Sequence, residues 1–148
     1  MNRPMYETKQ DLINENEMKS VLEIKWKCTL NKLPIKYNLE WLAMRGKVPM
    51  AFIEFKHREK LSIHAYPRYM MSLDKWIKAK QLCKEVEIPF IMVITFAEGT
   101  YYGVFPYGDL HDVEYMWGGR YDRGDKQDVE PMVLLPLKKF MKIEGATL

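Results

Sequence analysis

The chain has 148 residues, enough for one ordinary domain with a real core, and its hydrophobic share of 47% and charged share of 29% exclude a disordered or fibrous protein. Its 23 Lys and Arg against 20 Asp and Glu leave a net charge of +3, which permits a polyanionic partner without demanding one. Cys28 and Cys83 have neither the density of a disulfide scaffold nor the close pairing of a zinc site, and no run of about eighteen apolar residues could span a bilayer. The first seven residues lack the apolar core of a signal peptide, so the expectation is a single domain over 1–148, soluble and cytoplasmic, with no membrane partner.

From Asp11 to about Lys27 the residues are good helix formers without Pro or Gly, and Asn31 to Pro34 breaks that pattern. Tyr37 to Met44 and Ala51 to Arg58 are strand-like runs around the turn signal Arg45-Gly46-Lys47, which predicts an antiparallel hairpin. Lys60 to Tyr66 alternates well enough for a third strand ended by Pro67. Ser72 is placed to cap a second helix reaching about Glu87, with Asp74 in its first turn and Pro89 beyond its end. Phe90 to Phe96 is apolar on both faces, as in a central strand covered on each side. Tyr101 to Phe105 and Met132 to Leu135 predict two more strands, and Leu137 to Ile143 a small terminal helix. Between them the loop from Pro106 to Pro131 is long for a connection and rich in Gly, Asp and Arg, which points to a functional or mobile segment. The fold class is α/β, with element order α-β-β-β-α-β-β and helices flanking a mixed sheet.

Chemistry enters with Phe52-Ile53-Glu54-Phe55-Lys56, where two charged residues are separated by one position in an apolar run and so share a strand face. Charges inside a buried strand are costly unless paired or bound to a cation. Glu40, on the preceding strand, is again a lone acid among apolar neighbours. With a three-residue loop Arg45 to Lys47, Met44 faces Val48 and Glu40 faces Phe52, diagonal to Glu54 on one face; a two-residue loop would send Glu40 to the other face, and a bulge at Pro49 would change the count again. Two carboxylates beside a lysine are the minimum set for Mg²⁺-assisted phosphodiester hydrolysis, because hard oxygen ligands hold the ion while the ammonium orients water and offsets charge on the phosphate.

Glu40, then Glu54-Phe55-Lys56 fourteen residues later, between a helix carrying Glu15 and a helix followed by a central strand, resembles the PD-(D/E)XK nuclease superfamily over roughly Asp11 to Phe105. The resemblance implies a restriction-endonuclease-like core and divalent-metal-dependent cleavage of DNA. It implies catalytic roles for Glu15, Glu40, Glu54 and Lys56, and contact of Glu40, Glu54 and Phe55 with Mg²⁺ or Mn²⁺. The family's first acid is usually Asp, and Glu40 is longer. The helical acid is Glu15, on a face with Leu12, Met18, Leu22 and Trp26, or alternatively Glu17, on a face with Ile13, Val21 and Ile24. A Holliday-junction resolvase is one subtype of this size, and paired cuts there would need a homodimer.

Plainer readings stand beside these. Glu54 and Lys56 could form a cross-strand salt bridge, and Glu15 or Glu17 a solvated helix residue. Lys75, Lys78, Lys80 and Lys84 are either a solvated face or phosphate contacts; His57, Arg58, Lys60 and Arg68 are better placed to hold a nucleic-acid backbone. Tyr66, Tyr69 and Trp76 could stack on bases or pack in the core. Arg120 and Arg123 in the Gly-rich segment 118–125 either grip a phosphate or order their loop, and His57, His64 and His111 form no close-spaced metal motif. Two other functions remain: a catalytically silent nucleic-acid-binding or assembly protein with the nuclease fold, and an unrelated α/β interaction domain.

Overall fold

The structure, a computed structural model, describes residues 9–37, 39–107, 113–119 and 129–144. Helix α1 (Lys9–Trp26) buries Met18 and Leu22, four residues apart on one face, and leaves Ile13 and Ile24 exposed on another. Its last carbonyls are satisfied by Arg45, which donates from Nη2 to Trp26 at 2.9 Å and from Nε to Lys27 at 3.2 Å. Strand β1 (Thr29–Lys32) follows, too short and too polar to stand out in the sequence, with Leu30 alone buried. The predicted strand from Tyr37 begins later than expected: Ile35–Tyr37 is a 3₁₀ turn, and β2 is Trp41–Arg45.

β2 pairs with β1 on one side and with β3 (Val48–His57) on the other, both antiparallel. The expected strand over Lys60 to Tyr66 does not form. That stretch turns twice, with the Leu61 N–H donating to the Arg58 carbonyl and the Ala65 N–H to that of Ser62. The Glu98 carboxylate accepts from Ser62 Oγ at 2.5 Å and from the Ile63 N–H at 2.8 Å, fixing the turn against the connection between Phe96 and Gly99. The strand lies beyond Pro67 instead, as β4 (Arg68–Ser72), and runs directly into α2 (Leu73–Val86). Ser72 holds the N-cap position without a side-chain cap bond, and Glu87 ends the helix in the left-handed region at φ 60°.

β5 (Phe90–Phe96) is the expected central strand, parallel to β3 and antiparallel to β6 (Gly99–Phe105). β7 (Glu114–Gly119) and β8 (Val129–Pro136) follow. The expected terminal helix is replaced by a 3₁₀ turn, Leu137–Lys139, and a short strand β9 (Met141–Lys142) paired with Tyr101 and Tyr102. The Phe140 ring lies on the bare backbone of Gly103, where a Cβ would come within 2.7 Å of it. A helix there would withdraw that ring from β6. The expected loop from Pro106 to Pro131 is broken by β7 and by the first residues of β8, which pair with each other, while the stretches carrying His111, Arg120 and Arg123 lie outside the described residues.

The main sheet has the order β1-β2-β3-β5-β6-β9 and the second, antiparallel sheet β4-β8-β7. Met18 and Leu22 of α1 pack with Trp41, Ile53, Phe55 and Val93 on one face of the main sheet. Trp76, Ala79 and Cys83 of α2 pack with Phe52, Phe90 and Met92 from the other face and with Met71, Val133 and Leu135 of the second sheet. The α/β class is therefore as expected, with a second sheet in addition.

Candidate active site

The hairpin register decides which side chains meet. Arg45 is opposite Val48, so the turn has two residues, Gly46 at φ +64° and Lys47, not the expected three. Met44 faces Pro49, but Ala43 faces Ala51: Met50 is an extra residue, a bulge that shifts the register by one. Leu42 then faces Phe52 and Trp41 faces Ile53, which sets Glu40, one residue before β2, beside Glu54 instead of Phe52. The shorter turn and the bulge change the count by two together. The parity of the three-residue alternative is thereby kept, and the Glu40 main chain meets the Glu54 carboxylate.

Glu54 is 0% exposed. Its Oε1 accepts from the Glu40 N–H at 2.7 Å and its Oε2 from Lys75 Nζ at 3.1 Å. Glu40 Oε2 is buried with no hydrogen-bond partner. Burial first, then the charge of Glu54 and a side-chain hydrogen bond with Glu15, push the Glu40 carboxyl up to about 9. Two carboxyls can bond one another only when one carries a proton, so the contact and the raised proton affinity express the same crowding. Glu15 also pairs with Lys32, Oε2 to Nζ 2.7 Å. It belongs to the helix face that holds the buried Met18 and Leu22, whereas Glu17 is exposed.

Lys56 follows Glu54 on the same face, two residues along β3. Burial and then the like charge of Lys75 hold its ammonium below the usual lysine range, against the opposing pull of Glu54 and Glu40. Phe55, between them, turns its ring to the α1 side and stacks on Trp41 at 5.4 Å, so its main-chain carbonyl is its one oxygen donor.

Two further groups complete the cluster. Burial works to lower the Lys75 pKa, but the charges of Glu54 and Glu40 and the hydrogen bond to Glu54 outweigh it and hold the ammonium above its ordinary range. Burial pushes the Tyr69 phenol up, and its side chain bonds that of Arg58. The sequence grouped Lys75 with three other lysines of its helix; only its first-turn position, where α2 leaves β4, sets it apart. Tyr69 alternates with the buried Met71 and so faces inward, while Tyr66 is exposed and Trp76 is core. A cleft of about 390 Å³ lined by His57, Arg58, Glu59, Lys60 and Leu61 opens at the end of β3. Within it His57 Nε2 lies 3.3 Å from Glu59. Arg68 is engaged by Glu114 on the second sheet.

Among the described residues no group of three or more His, Cys, Asp or Glu side chains could hold a metal ion. An all-protein cage is thus not what the site offers, but Mg²⁺ keeps most of its waters and takes one or two carboxylates. Glu40 and Glu54 supply hard oxygen donors side by side. The buried, partnerless Glu40 Oε2 is an acceptor with nothing to accept, which fits a cation at this point.

A mixed sheet with an acid at the head of one strand, beside acid-x-lysine on its antiparallel neighbour and flanked by helices, defines the PD-(D/E)XK nuclease class. A protein-family model described as "Phage putative PDDEXK endonuclease" matches residues 1–143, and the chain belongs to that family of phage PD-(D/E)XK endonucleases. Among solved structures it is similar to Hjc, a Holliday junction resolvase from the hyperthermophilic archaeon Archaeoglobus fulgidus: 13% identity, 87% of this chain and 90% of that one covered, TM-score 0.53. That likeness concerns the fold. No curated protein sequence matches the chain. Among the described residues no helix is long and apolar enough to cross a membrane.

Proposed function

We propose that this chain acts as one domain, a divalent-metal-dependent nuclease that hydrolyses phosphodiester bonds of DNA. The carboxylates of Glu40 and Glu54 and the Phe55 carbonyl would hold Mg²⁺ or Mn²⁺. Once bound, the ion polarises the phosphate and lowers the pKa of water at its open positions. The protein's own residues do the rest. Lys56 donates to the attacking water and offsets charge building on the phosphorane oxygens, and its lowered proton affinity also suits it to exchange a proton. Glu15 supports Glu40 from α1. The single observation that carries the reading is the meeting of Glu40 and Glu54 at the β2–β3 hairpin, with Glu40 Oε2 buried and unsatisfied.

DNA as substrate is supported by membership of the phage endonuclease family, and junction resolution by the likeness in fold to a resolvase. Paired cuts across a junction require two active sites, hence a homodimer. The test is incubation with linear, circular, single-stranded and four-way-junction DNA in Mg²⁺, Mn²⁺ or EDTA, beside Glu54→Ala and Lys56→Ala. Metal-dependent cutting is expected, lost without Glu54 and slowed about 10²- to 10³-fold without Lys56. Preferential cutting of the junction at symmetric positions supports the resolvase subtype. One observation favours a binding protein without cleavage: Lys75 already engages Glu54. Tight DNA binding, unaltered by metal and without cutting, would establish that alternative.

A further inference from the structure

Glu54 has its two oxygens held in unlike ways. Oε1 is bonded by the main-chain N–H of Glu40, which the hairpin fixes; Oε2 is bonded by Lys75, on a long side chain that is 34% exposed although its partner is 0% exposed. Of the two contacts on this carboxylate, the lysine is the one that can move when a divalent ion arrives. Coulomb's law favours the exchange, because an ammonium about 3 Å from the ligand oxygen repels an arriving dication. Lys56 feels the charges of both Lys75 and Arg58, and with both carboxylates committed to an ion these cations are short of anions. A substrate phosphate would supply one.

Resting on the nuclease reading above, we propose that Lys75 is a second active-site cation: it occupies Glu54 until the divalent ion binds, and then turns to the phosphodiester. The resting ion pair keeps a fully buried carboxylate compensated before metal arrives. It also lowers the affinity for metal in the absence of DNA, so that metal and substrate bind cooperatively, each giving the lysine a reason to move.

The experiment uses the full chain, Mn²⁺ alone as probe, and two variants of opposite effect. Lys75→Gln keeps a donor for Glu54 but removes the charge; Lys75→Arg keeps the charge and grips a carboxylate with a two-pronged guanidinium. Mn²⁺ dissociation constants are measured without DNA by calorimetry, and single-turnover cleavage with saturating metal. Mn²⁺ should bind Lys75→Gln about 5- to 10-fold more tightly than wild type and Lys75→Arg more weakly, while both cut more slowly. A lysine that merely props Glu54 in place would give weaker Mn²⁺ binding in Lys75→Gln, and that result, or cleavage unchanged by it, overturns the proposal. Should Lys75→Gln fail to fold, the charge-conserving Arg variant decides: Mn²⁺ affinity equal to or above wild type overturns it. Wild-type protein that neither binds Mn²⁺ nor cuts DNA removes the underlying nuclease reading, an outcome separate from the others.

Discussion

Glu40 makes the metal-free site a proton sink. Its carboxyl titrates near 4.5 in an unfolded chain and at about 9 in the folded one, so between those values the folded protein holds a proton that the unfolded chain has lost. This contribution to stability is complete below the lower value and disappears as pH rises through the upper one. In EDTA, the urea midpoint of the wild type should therefore fall between roughly pH 5 and 9. Glu40→Gln, which carries an amide with no proton to lose, should flatten that slope. A metal takes the carboxylate and not the acid, so Mn²⁺ binding at pH 7 should release about one proton, read as a dependence of calorimetric heat on the buffer's ionisation enthalpy. An unchanged slope in Glu40→Gln would assign the pH response elsewhere. At this scale the sequence carried Glu40, Glu54 and Lys56, because period two and apolar flanks are local signals. It did not carry Lys75 or Tyr69, whose approach to β3 depends on how α2 and β4 dock, and docking leaves no trace in a short stretch of residues.

Elements tell a similar story, and the β2–β3 hairpin tells it most clearly. A three-residue loop and a two-residue loop followed by a one-residue bulge differ in every cross-strand partner yet send the same side chains to the same face. From the sequence both faces stayed open to Glu40, since a two-residue turn alone would have sent it away from Glu54; the extra residue at Met50 restores the parity and decides its partner. The turn itself is separable from this. Gly46 has φ +64° with open space where a Cβ would be, so Gly46→Ala is penalised by backbone conformation alone. It should lower the unfolding free energy by about 1 kcal/mol, with Mn²⁺ affinity unchanged because the bulge keeps Glu40 beside Glu54. A large loss of metal binding would show that the turn, and not the bulge, sets the register. Where local patterning was weak, elements were misplaced: Lys60 to Tyr66 alternates but finds its bonds in turns and Glu98, and the Met-rich β4 becomes a strand because β8 pairs with it.

At the scale of the whole molecule, α2 lies between the two sheets and carries chemistry at the end nearest β3. Trp76 is its anchor: fully buried, with edge-to-face contacts to Phe90 at 6.0 Å and Phe105 at 5.7 Å. Lys75 is the residue before it, so the ring that fills the core also fixes where the ammonium starts its reach to Glu54. Emptying that position should do two things of different size. Trp76→Ala leaves a cavity between the main sheet and the second one and should cost about 3–5 kcal/mol, seen as a lower urea midpoint at unchanged m-value. Trp76→Phe retains an aromatic body against Phe90 and Phe105 and should lose less. If α2 is the mount for Lys75, Mn²⁺ affinity measured well below the unfolding transition should shift in Trp76→Ala by more than in Trp76→Phe, tracking the loosened helix. Stability lost with metal affinity untouched would mean that the first turn of α2 is held by β4 and Ser72 without help from the core.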